Sequence, residues 1–340
     1  MALSMSFVSL FYKNILMNSQ FKNTLINGTQ AKDAIEVEII QTLWSGYGKI
    51  VRYQLIESTI KQEVVKWVQL PKVKEHPRGW NTNISHHRKV KSYQVETAFY
   101  KTYAKQCDMF CRIPKLYAVD TYNDEVLLVL EDLDQVGFSS RVHKVSWEHI
   151  NACVQWLANF HATFLNQEPK DVWEVGTYWH LDTRPEELQV LEDKMLKKVA
   201  AKIDKKLNNA TYKTFVHGDA KLANFCFSKD GSKVAAVDFQ YVGGGCGMKD
   251  LAYFMGSCLS EEDCKEYEAE IVDFYFNSLE QAILTKNITV DFKEVEKEWR
   301  ALFPVAWTDF HRFLKGWSPS HWKINSYSEQ VAQQVIKSLK

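Results

Sequence analysis

The sequence carries no excess of charge of either sign. Its 42 lysine and arginine residues balance 42 aspartate and glutamate residues, and the formal net charge is +0. A chain with no net charge has no general attraction for nucleic acid or an anionic membrane surface. Any charged partner must therefore bind at a local site of opposite charge. We therefore expect no nucleic-acid partner.

Long hydrophobic runs are also missing, as are internal repeats and low-complexity tracts. Residues 1–17 are mildly apolar, but they lack a basic start and a clear cleavage site, and Lys13 interrupts them well short of a membrane span. We therefore expect no membrane insertion and a cytoplasmic protein. The oligomeric state, monomer or dimer, is left open.

Cysteine is scarce and its spacing is irregular. The seven cysteines are an odd number in apolar segments, which is typical of reduced, buried thiols. Cys107 and Cys111 are close in sequence, but no second pair follows at metal-ligand spacing, so no zinc site is expected. The chain also lacks the G-x4-G-K-[ST] pattern, which excludes an enzyme of the P-loop class.

The chain does have enough apolar material for two lobes. Its 340 residues are 46% hydrophobic and 13% aromatic, which suits a sizeable core. Alternating apolar residues predict a three-stranded antiparallel meander over 39–70, then strands near 112–120 and 125–133. Residues 71–91, which are rich in basic side chains, are predicted as a solvated connection, and 91–104 as a helix.

Helical periodicity dominates the second half of the chain, starting after Ser146 as an N-cap. We therefore predict an α+β, two-lobed fold. An antiparallel β-rich N-terminal lobe takes residues 1–133, with 1–38 as an extension, and a mostly helical C-terminal lobe takes 134–340. His161 lies on an apolar helical stripe and is interpreted as a core residue.

One polar unit stands between two apolar runs. "VHGDAKLANF" places His217, Asp219 and Asn224 after a short apolar strand, and Asp238 ends the strand in "KVAAVDFQ". Gly231 supplies a turn between them, so the segment from Asn224 to Asp238 is predicted as a β-hairpin. Amide and carboxylate oxygens are hard ligands for Mg²⁺, and Asp219 remains to accept a hydroxyl proton. The combination is typical of metal-assisted phosphoryl transfer.

A lysine and a glycine turn accompany this unit. Lys66 lies in the middle of an apolar strand, where it needs a polar neighbour, and Glu96 on the following helix is the candidate. Ser45, Gly46 and Gly48 form a turn between two strands, where glycines let the backbone approach phosphate oxygens. The glycines of "VGGGCG" at 242–247 are interpreted instead as a flexible loop.

These segments resemble a known fold. In order and spacing, "VVKW", the Glu96 helix, "VLEDL", "HGDAKLAN" and "VDFQ" resemble the protein-kinase-like fold, and within it the aminoglycoside phosphotransferase and choline kinase branch. "LVLEDLDQVGF", "LANFHATF" and "KDLAYFMGSCLSEED" look most like the ecdysteroid-kinase-like group, over roughly residues 40–330. The resemblance implies an ATP- and Mg²⁺-dependent kinase that phosphorylates a hydroxyl group of a small-molecule alcohol.

The resemblance also implies a role for each matching residue. Asp219 would be the catalytic carboxylate that orients the hydroxyl. Asn224 and Asp238 would bind Mg²⁺. His217 would support the catalytic loop, and Asp250 would brace it from the following helix.

For the nucleotide, the resemblance implies that Lys66 and Glu96 form the ion pair that holds the phosphates. It also implies that the backbone at Glu131 and Leu133 meets adenine. The turn at Ser45, Gly46 and Gly48 has fewer glycines than the protein-kinase pattern, so its phosphate contacts are left open.

The sequence departs from protein kinases in ways that favour a small-molecule site. Gly218 replaces the arginine that binds a phosphorylated activation loop in protein kinases. No A-P-E segment follows Asp238, and Gln240 replaces a glycine. A catalytically silent nucleotide-binding scaffold is the alternative function. The joint presence of Lys66 and Asp219 with both metal ligands counts against it.

The acceptor is the least defined part. Trp299, Trp307, Trp317 and Trp322 with Asp309 could form an aromatic wall for a large alcohol, a cage for a cationic head, or simply a helix core. A single carboxylate among these rings disfavours a choline-type substrate. A large apolar alcohol fits this segment better.

Overall fold

A computed structural model of the chain describes residues 17–43, 46–69 and 83–339. The chain divides into two compact units. The first comprises Met1–Val73 and Leu116–Glu131, and the second comprises Lys74–Lys115 and Asp132–Lys340. The predicted N-terminal lobe of residues 1–133 includes residues 74–115, which this division places in the second unit.

The first unit is built on a five-stranded antiparallel sheet with strand order β1-β2-β3-β5-β4. The strands are β1 (Asp33–Thr42), β2 (Gly48–Ile56), β3 (Gln62–Val68), β4 (Leu116–Tyr122) and β5 (Glu125–Glu131). The predicted meander and the two further strands are therefore confirmed, but β1 begins at Asp33, inside the segment 1–38 that was predicted as an extension. Apolar residues, mainly valine in β3 and leucine with valine in β5, make up most of these two strands, which suits strands buried in the middle of a sheet.

One helix packs on this sheet. Helix α1 (Ser19–Thr29) starts at Asn18, whose side chain accepts a hydrogen bond from the Phe21 amide as an N-cap. Phe21 and Leu25 are one turn apart and fully buried against Val51 and Trp67 of the sheet. This packing supplies the hydrophobic core of the first unit.

The second unit is mostly helical. Its helices are α2 (Asn83–Ala98), α3 (Trp147–Thr163), α4 (Pro185–Val190), α5 (Lys194–Asn208), α6 (Met248–Cys258), α7 (Glu261–Thr285), α8 (Phe292–Trp317) and α9 (Ser326–Ser338). Ser146 caps α3 as predicted, in a capping box closed by His149. The predicted α+β fold, with a β-rich and a helical part, is confirmed.

Helix α2 corrects the predicted connection over 71–91. Its first half falls inside that segment, while residues 70–82 lie outside the described part of the chain. Arg88, Ser92 and Glu96 are buried and recur every four residues, beside the buried Tyr93 and Val95 of the second half. Apolar periodicity therefore detects the second half of this helix but not the first, where the buried side chain is Arg88.

Two small sheets position the polar unit. Strand β6 (Thr214–Val216) pairs with β9 (Gly243–Gly245), and the predicted hairpin is confirmed as β7 (Phe225–Phe227) with β8 (Val234–Ala236). The expected flexible loop at 242–247 is wrong, since β9 is a buried strand. A Cβ at Gly243 would lie 2.2 Å from the Trp173 carbonyl oxygen, so the glycine serves close packing.

All seven cysteines are free thiols, as expected. Burial raises the pKa of Cys246 to about 12, which makes this thiol unreactive at neutral pH. No helix in the described residues is long and apolar enough to cross a membrane.

Candidate active site

The turn after β6 is fixed by a carboxylate from α6. Asp250 is fully buried and accepts hydrogen bonds from the backbone amides of His217 and Gly218, the latter at 2.9 Å. Gly218 has φ +78°, and a Cβ there would lie 2.1 Å from the Tyr241 carbonyl oxygen. Only glycine fits this turn, which explains why Gly218 stands where protein kinases carry arginine.

Asp250 is itself held by a buried histidine. His161 Nε2 lies 3.1 Å from an Asp250 oxygen, and His161 Nδ1 lies 2.7 Å from the Tyr275 hydroxyl. Both side chains are fully buried, as the interpretation of His161 as a core residue requires. The predicted brace at Asp250 therefore links α3, α6 and α7 to the turn.

This turn positions the Asp219 carboxylate so that it accepts hydrogen bonds from three side chains. The carboxylate accepts from the Tyr253 hydroxyl at 2.9 Å, from Lys221 Nζ at 2.9 Å and from Asn224 Nδ2 at 3.1 Å. Asp219 is 7% exposed, so one edge of the carboxylate still reaches solvent. Charge-assisted hydrogen bonds of this kind fix the orientation of a carboxylate that must meet another molecule.

Lys221 connects Asp219 with the predicted metal ligand Asp238. Burial lowers the pKa of Lys221, but the charges of Asp219 and then Asp238 outweigh burial and raise it. Lys221 therefore remains an ammonium ion beside both carboxylates. Lys221 was not among the predicted site residues, although it lies only two residues after Asp219 in the same motif.

Asn224 and Asp238 come together at the base of the β7–β8 hairpin. The Val237 amide donates to the Asn224 carbonyl at 3.0 Å, which places Asp238 one residue beyond this pair. The Asn224 amide nitrogen donates to Asp219, so its carboxamide oxygen is left for a cation. This oxygen and the Asp238 carboxylate are the hard donors that Mg²⁺ takes.

The donor set fits a metal that shares its ligands with phosphate and water. Among the described residues, no three His, Cys, Asp or Glu side chains form a metal cluster. Mg²⁺ characteristically takes one or two protein oxygens and fills its octahedron with waters and substrate phosphates. Asn224 and Asp238 therefore suit a nucleotide-bound Mg²⁺.

Gln240 locks Asp238 in place. The Gln240 amide donates to the Asp238 carboxylate, while its oxygen accepts from Lys89 Nζ at 2.7 Å and from Ser92 Oγ at 3.2 Å. Asp238 has φ +70°, a left-handed conformation that side chains rarely adopt. Gln240 thus couples Asp238 to helix α2, a function that the glycine of protein kinases does not have.

Phe239 packs this segment against the end of α2. Its ring stacks on Phe99 at 4.3 Å between centroids. Burial, and then the charges of Glu96 and Asp238, raise the pKa of Tyr100 well above its usual value. Glu96 and the candidate metal ligand Asp238 therefore both lie close enough to Tyr100 to affect its pKa.

The remaining candidate residues belong to the first unit or border it. Lys66 lies in β3 opposite Ile50 and Leu128 and is 4% exposed, and Glu131 is the buried last residue of β5. Leu133, in the second unit, packs with Cys226 in a small apolar cluster. Lys66 and Glu96 belong to different units, and their pairing stays a prediction.

The glycine turn has a structural reason of its own. Gly46 and Gly48 have φ +74° and +127°, and a Cβ at Gly48 would lie 2.0 Å from the Trp67 carbonyl oxygen. Gly48 is therefore required by the pairing of β2 with β3, whether or not a phosphate binds there. Ser45 lies outside the described residues.

One of the alternatives left open for the four tryptophans, a helix core, holds for Trp299 and Trp307, which are both buried. Trp299 is fully buried and donates to the Tyr212 carbonyl at 3.0 Å, so it is a core residue. Asp309 is buried as well and accepts from Trp179 and Arg312. Periodicity could not separate these core residues of α8 from exposed ones, because the same stripe of rings serves both.

Other rings lie beside Asp219 instead. Tyr253, whose hydroxyl bonds Asp219, is three residues after Asp250 on α6, and this spacing puts both on one helix face. The Tyr253 ring packs against Tyr178 and Phe310 at 5.6 and 4.8 Å. These rings were not predicted from the sequence because they come from three separate segments of the chain.

A family model described as the ecdysteroid kinase-like family matches residues 66–179 and 172–287. The chain belongs to this family. The match includes the Asp219 turn, the hairpin and the brace at Asp250. A search of the curated proteins found no match.

Solved structures of small-molecule kinases share the fold of this family member. An amicoumacin kinase in complex with AMP-PNP and Ca²⁺ aligns with a TM-score of 0.51 at 14% identity, over 88% of this chain and 87% of that one. A microcompartment-associated aminopropanol kinase aligns with a TM-score of 0.51 at 12% identity, over 95% and 94%. These likenesses confirm the predicted fold.

Proposed function

We propose that this protein is an ATP- and Mg²⁺-dependent kinase that phosphorylates a hydroxyl group of a small-molecule alcohol. The observation that carries the proposal is the position of Asp219. It lies on a turn held by Asp250 and shares a hydrogen bond with Asn224, at the base of the hairpin that also presents Asp238. Carboxylate, metal ligands and lysine converge there within one compact unit.

In the proposed reaction, the acceptor hydroxyl oxygen attacks the γ-phosphorus of ATP. A new oxygen–phosphorus bond forms, the bond to the β–γ bridging oxygen breaks, and ADP leaves with that electron pair. The hydroxyl proton passes to Asp219. The three donors to Asp219 fix its oxygens before the acceptor arrives, so positioning contributes much of the rate.

Asn224 and Asp238 would hold Mg²⁺, which when bound neutralises charge on the β- and γ-phosphates. Gln240 maintains the strained backbone of Asp238 through its hydrogen bond to the carboxylate. Lys221, an ammonium beside both carboxylates, is placed to meet a γ-phosphate oxygen. These side chains act as a preorganised electrostatic environment for the transferred group.

The nucleotide sites follow from the family resemblance. Lys66 and Glu96 would form the ion pair on the phosphates, the turn with Ser45, Gly46 and Gly48 would cover them, and the backbone at Glu131 and Leu133 would meet adenine. Leu133 lies in a small apolar cluster with Cys226 and Ala235, and apolar side chains of this kind line most ligand pockets.

The test is ATP consumption with Mg²⁺ across a panel of alcohols: sterols, sugars, choline, ethanolamine and aminoglycosides. We expect one class to raise turnover, and Asp219→Asn to abolish the increase. Nucleotide binding is measured on the same samples. Mg²⁺-dependent ATP binding without turnover on any acceptor would favour the silent scaffold, and absence of both would contradict the proposal.

A further inference from the structure

An aromatic surface begins at the candidate catalytic carboxylate. Tyr253 donates its hydroxyl to Asp219 at 2.9 Å, and its ring packs edge-on against Phe310 at 4.8 Å. Tyr178 contacts the same ring at 5.6 Å and extends the surface to Phe313 at 5.4 Å. Such faces are the usual binding surface for quaternary ammonium groups, because the ring quadrupole attracts a cation.

A cation of the chain itself occupies this surface. Lys323 Nζ lies 5.1 Å from the Tyr253 ring centre, 5.5 Å from Phe310 and 5.7 Å from Trp322. Three rings around one ammonium form a cation cage. Within the described part of the chain, no hydrogen bond or ion pair of this Nζ accompanies the ring contacts. The rings are its main neighbours.

The other end of the aromatic surface is covered in the same way. The Arg184 guanidinium lies 5.7 Å from the Tyr178 ring centre and 5.2 Å from Phe313. It also pairs with Glu187 at 3.1 Å. Two cations of this chain, Lys323 and Arg184, therefore contact the aromatic surface, one at each end.

We infer that Lys323 is a specificity-determining residue: it fills the cation cage formed by Tyr253, Phe310 and Trp322, and so excludes alkylammonium acceptors from the site at Asp219. This inference rests on the proposed kinase function. A second cation would lose the rings that Lys323 occupies and would meet its charge at close range. The acceptor is then an alcohol without a cationic group, with an oxygen that the Lys323 ammonium can bind.

The charged neighbours of Lys323 agree with this assignment. Burial, with a smaller effect of the Lys221 charge, lowers the pKa of Lys323 to about 8 against the opposing effect of Asp219. Cys258 also lies near this ammonium, and burial raises the pKa of its thiol, so it stays neutral. Most of the Lys323 side chains therefore carry a proton at pH 7, and Asp219 is the only acid among these neighbours.

The test uses tetramethylammonium, the smallest probe of a vacant cage, and tert-butanol, a neutral probe of similar size. Binding is measured by ligand-observed NMR on wild-type protein, Lys323→Ala, Lys323→Arg and the surface control Lys337→Ala. We expect Lys323→Ala to bind tetramethylammonium with a Kd on the order of 10 mM, at least about tenfold tighter than the other three proteins do. Lys323→Ala should also prefer the cation to tert-butanol.

Each other outcome overturns the inference. Equal binding of tetramethylammonium to wild-type protein would mean that Lys323 does not close the cage. No binding to a folded Lys323→Ala, or equal binding of both probes, would mean that the three rings are not a cation site. Thermal unfolding checks each variant, and Lys323→Met replaces Lys323→Ala if the alanine variant does not fold.

This experiment is separate from the test of the kinase itself. It needs neither ATP nor an acceptor, so failure to bind or consume ATP would contradict the proposed function and leave the cage result intact. Conversely, if the wild-type protein is an active kinase and also binds tetramethylammonium, the proposed function stands and the inference about Lys323 is wrong.

Discussion

Two tight turns at opposite ends of the β7–β8 hairpin each present an aspartate, and their surroundings differ. Asp230, at the tip, is exposed and satisfied by its own neighbours, since Ser228 and Ser232 donate to it at 2.6 and 2.8 Å. These hydrogen bonds lower its pKa to about 2. Asp219, before the hairpin, is buried and held by donors that include Tyr253 of α6.

The difference separates an aspartate that makes a turn from one that the fold positions. A local Asx turn needs only the residues beside it. Asp219 instead receives a distant hydroxyl, a lysine and an amide, and its backbone is braced by a buried carboxylate. So many hydrogen bonds that fix one carboxylate with an exposed edge are typical of an active site.

The largest expected effect compares the same substitution at the two turns. Asp219→Asn should lower kcat by about 10²–10⁴-fold, because the amide cannot accept the hydroxyl proton. Asp230→Asn should leave kcat unchanged, since it touches only its own turn. Steady-state kinetics and thermal unfolding of both variants check this, and similar kcat values would break the comparison.

The next effect concerns the brace. Asp250→Asn removes a buried charge that accepts from the His217 and Gly218 amides and from His161. We expect a loss of about 2–4 kcal/mol in the free energy of unfolding, together with a lower kcat. Chemical denaturation measures the first and kinetics the second. A stable variant with full kcat would show that the turn keeps its shape without the brace.

A smaller effect is expected at Gln240. Gln240→Leu removes the hydrogen bond to Asp238 and the link to Lys89. The Mg²⁺ concentration for half-maximal activity should rise about 10-fold, because groups that orient a metal ligand tune its affinity. Gln155→Leu, at an exposed position of α3, is the matched control. An unchanged Mg²⁺ dependence would remove Gln240 from the metal site.

Glu63 extends the comparison to a third kind of carboxylate, in the first unit. It is fully buried in β3, and neither oxygen has a hydrogen-bond partner among the described residues. Burial raises its pKa from 4.5 to about 8. The folded state therefore keeps a proton that the unfolded state releases, and stability falls as the pH rises through this window.

Glu63→Gln should therefore stabilise the protein by about 1–3 kcal/mol at pH 7, and the gain should shrink as the pH falls toward 4.5. Chemical denaturation at both pH values measures it, with the exposed Glu57→Gln as control. A destabilised variant at pH 7 would show that Glu63 is ionised and paired in the folded protein.

How well the sequence predicts a structural element depends on how far apart in the chain its contacting residues are. The β-sheet meander, the Ser146 cap and the β7–β8 hairpin rest on neighbouring residues, and the sequence predicts all of them. The first half of α2 buries Arg88, whose guanidinium donates to the Thr183 carbonyl far along the chain, so this half looked like a loop. β9 looked like a loop for a related reason: its glycines serve a contact with Trp173, far away in the chain.

The candidate site shows the same division. The motif spacing identified Asp219, Asn224 and Asp238, because they share one loop and one hairpin. It did not identify Tyr253 or Lys323, whose positions beside Asp219 depend on the packing of α6 and of the segment between α8 and α9. The spacing also could not tell that Trp299 belongs to the core.

The most direct test follows the phosphoryl group itself. Purified protein is mixed with Mg²⁺ and ATP labelled at the γ-phosphate, in the presence of the acceptor panel, and the products are separated. The account predicts that wild-type protein and Asp230→Asn move the label into an organic phosphomonoester, whereas Asp219→Asn leaves it in ATP. Label appearing only as inorganic phosphate, or transfer by Asp219→Asn at the wild-type rate, would contradict the assignment of this turn as a phosphotransfer site.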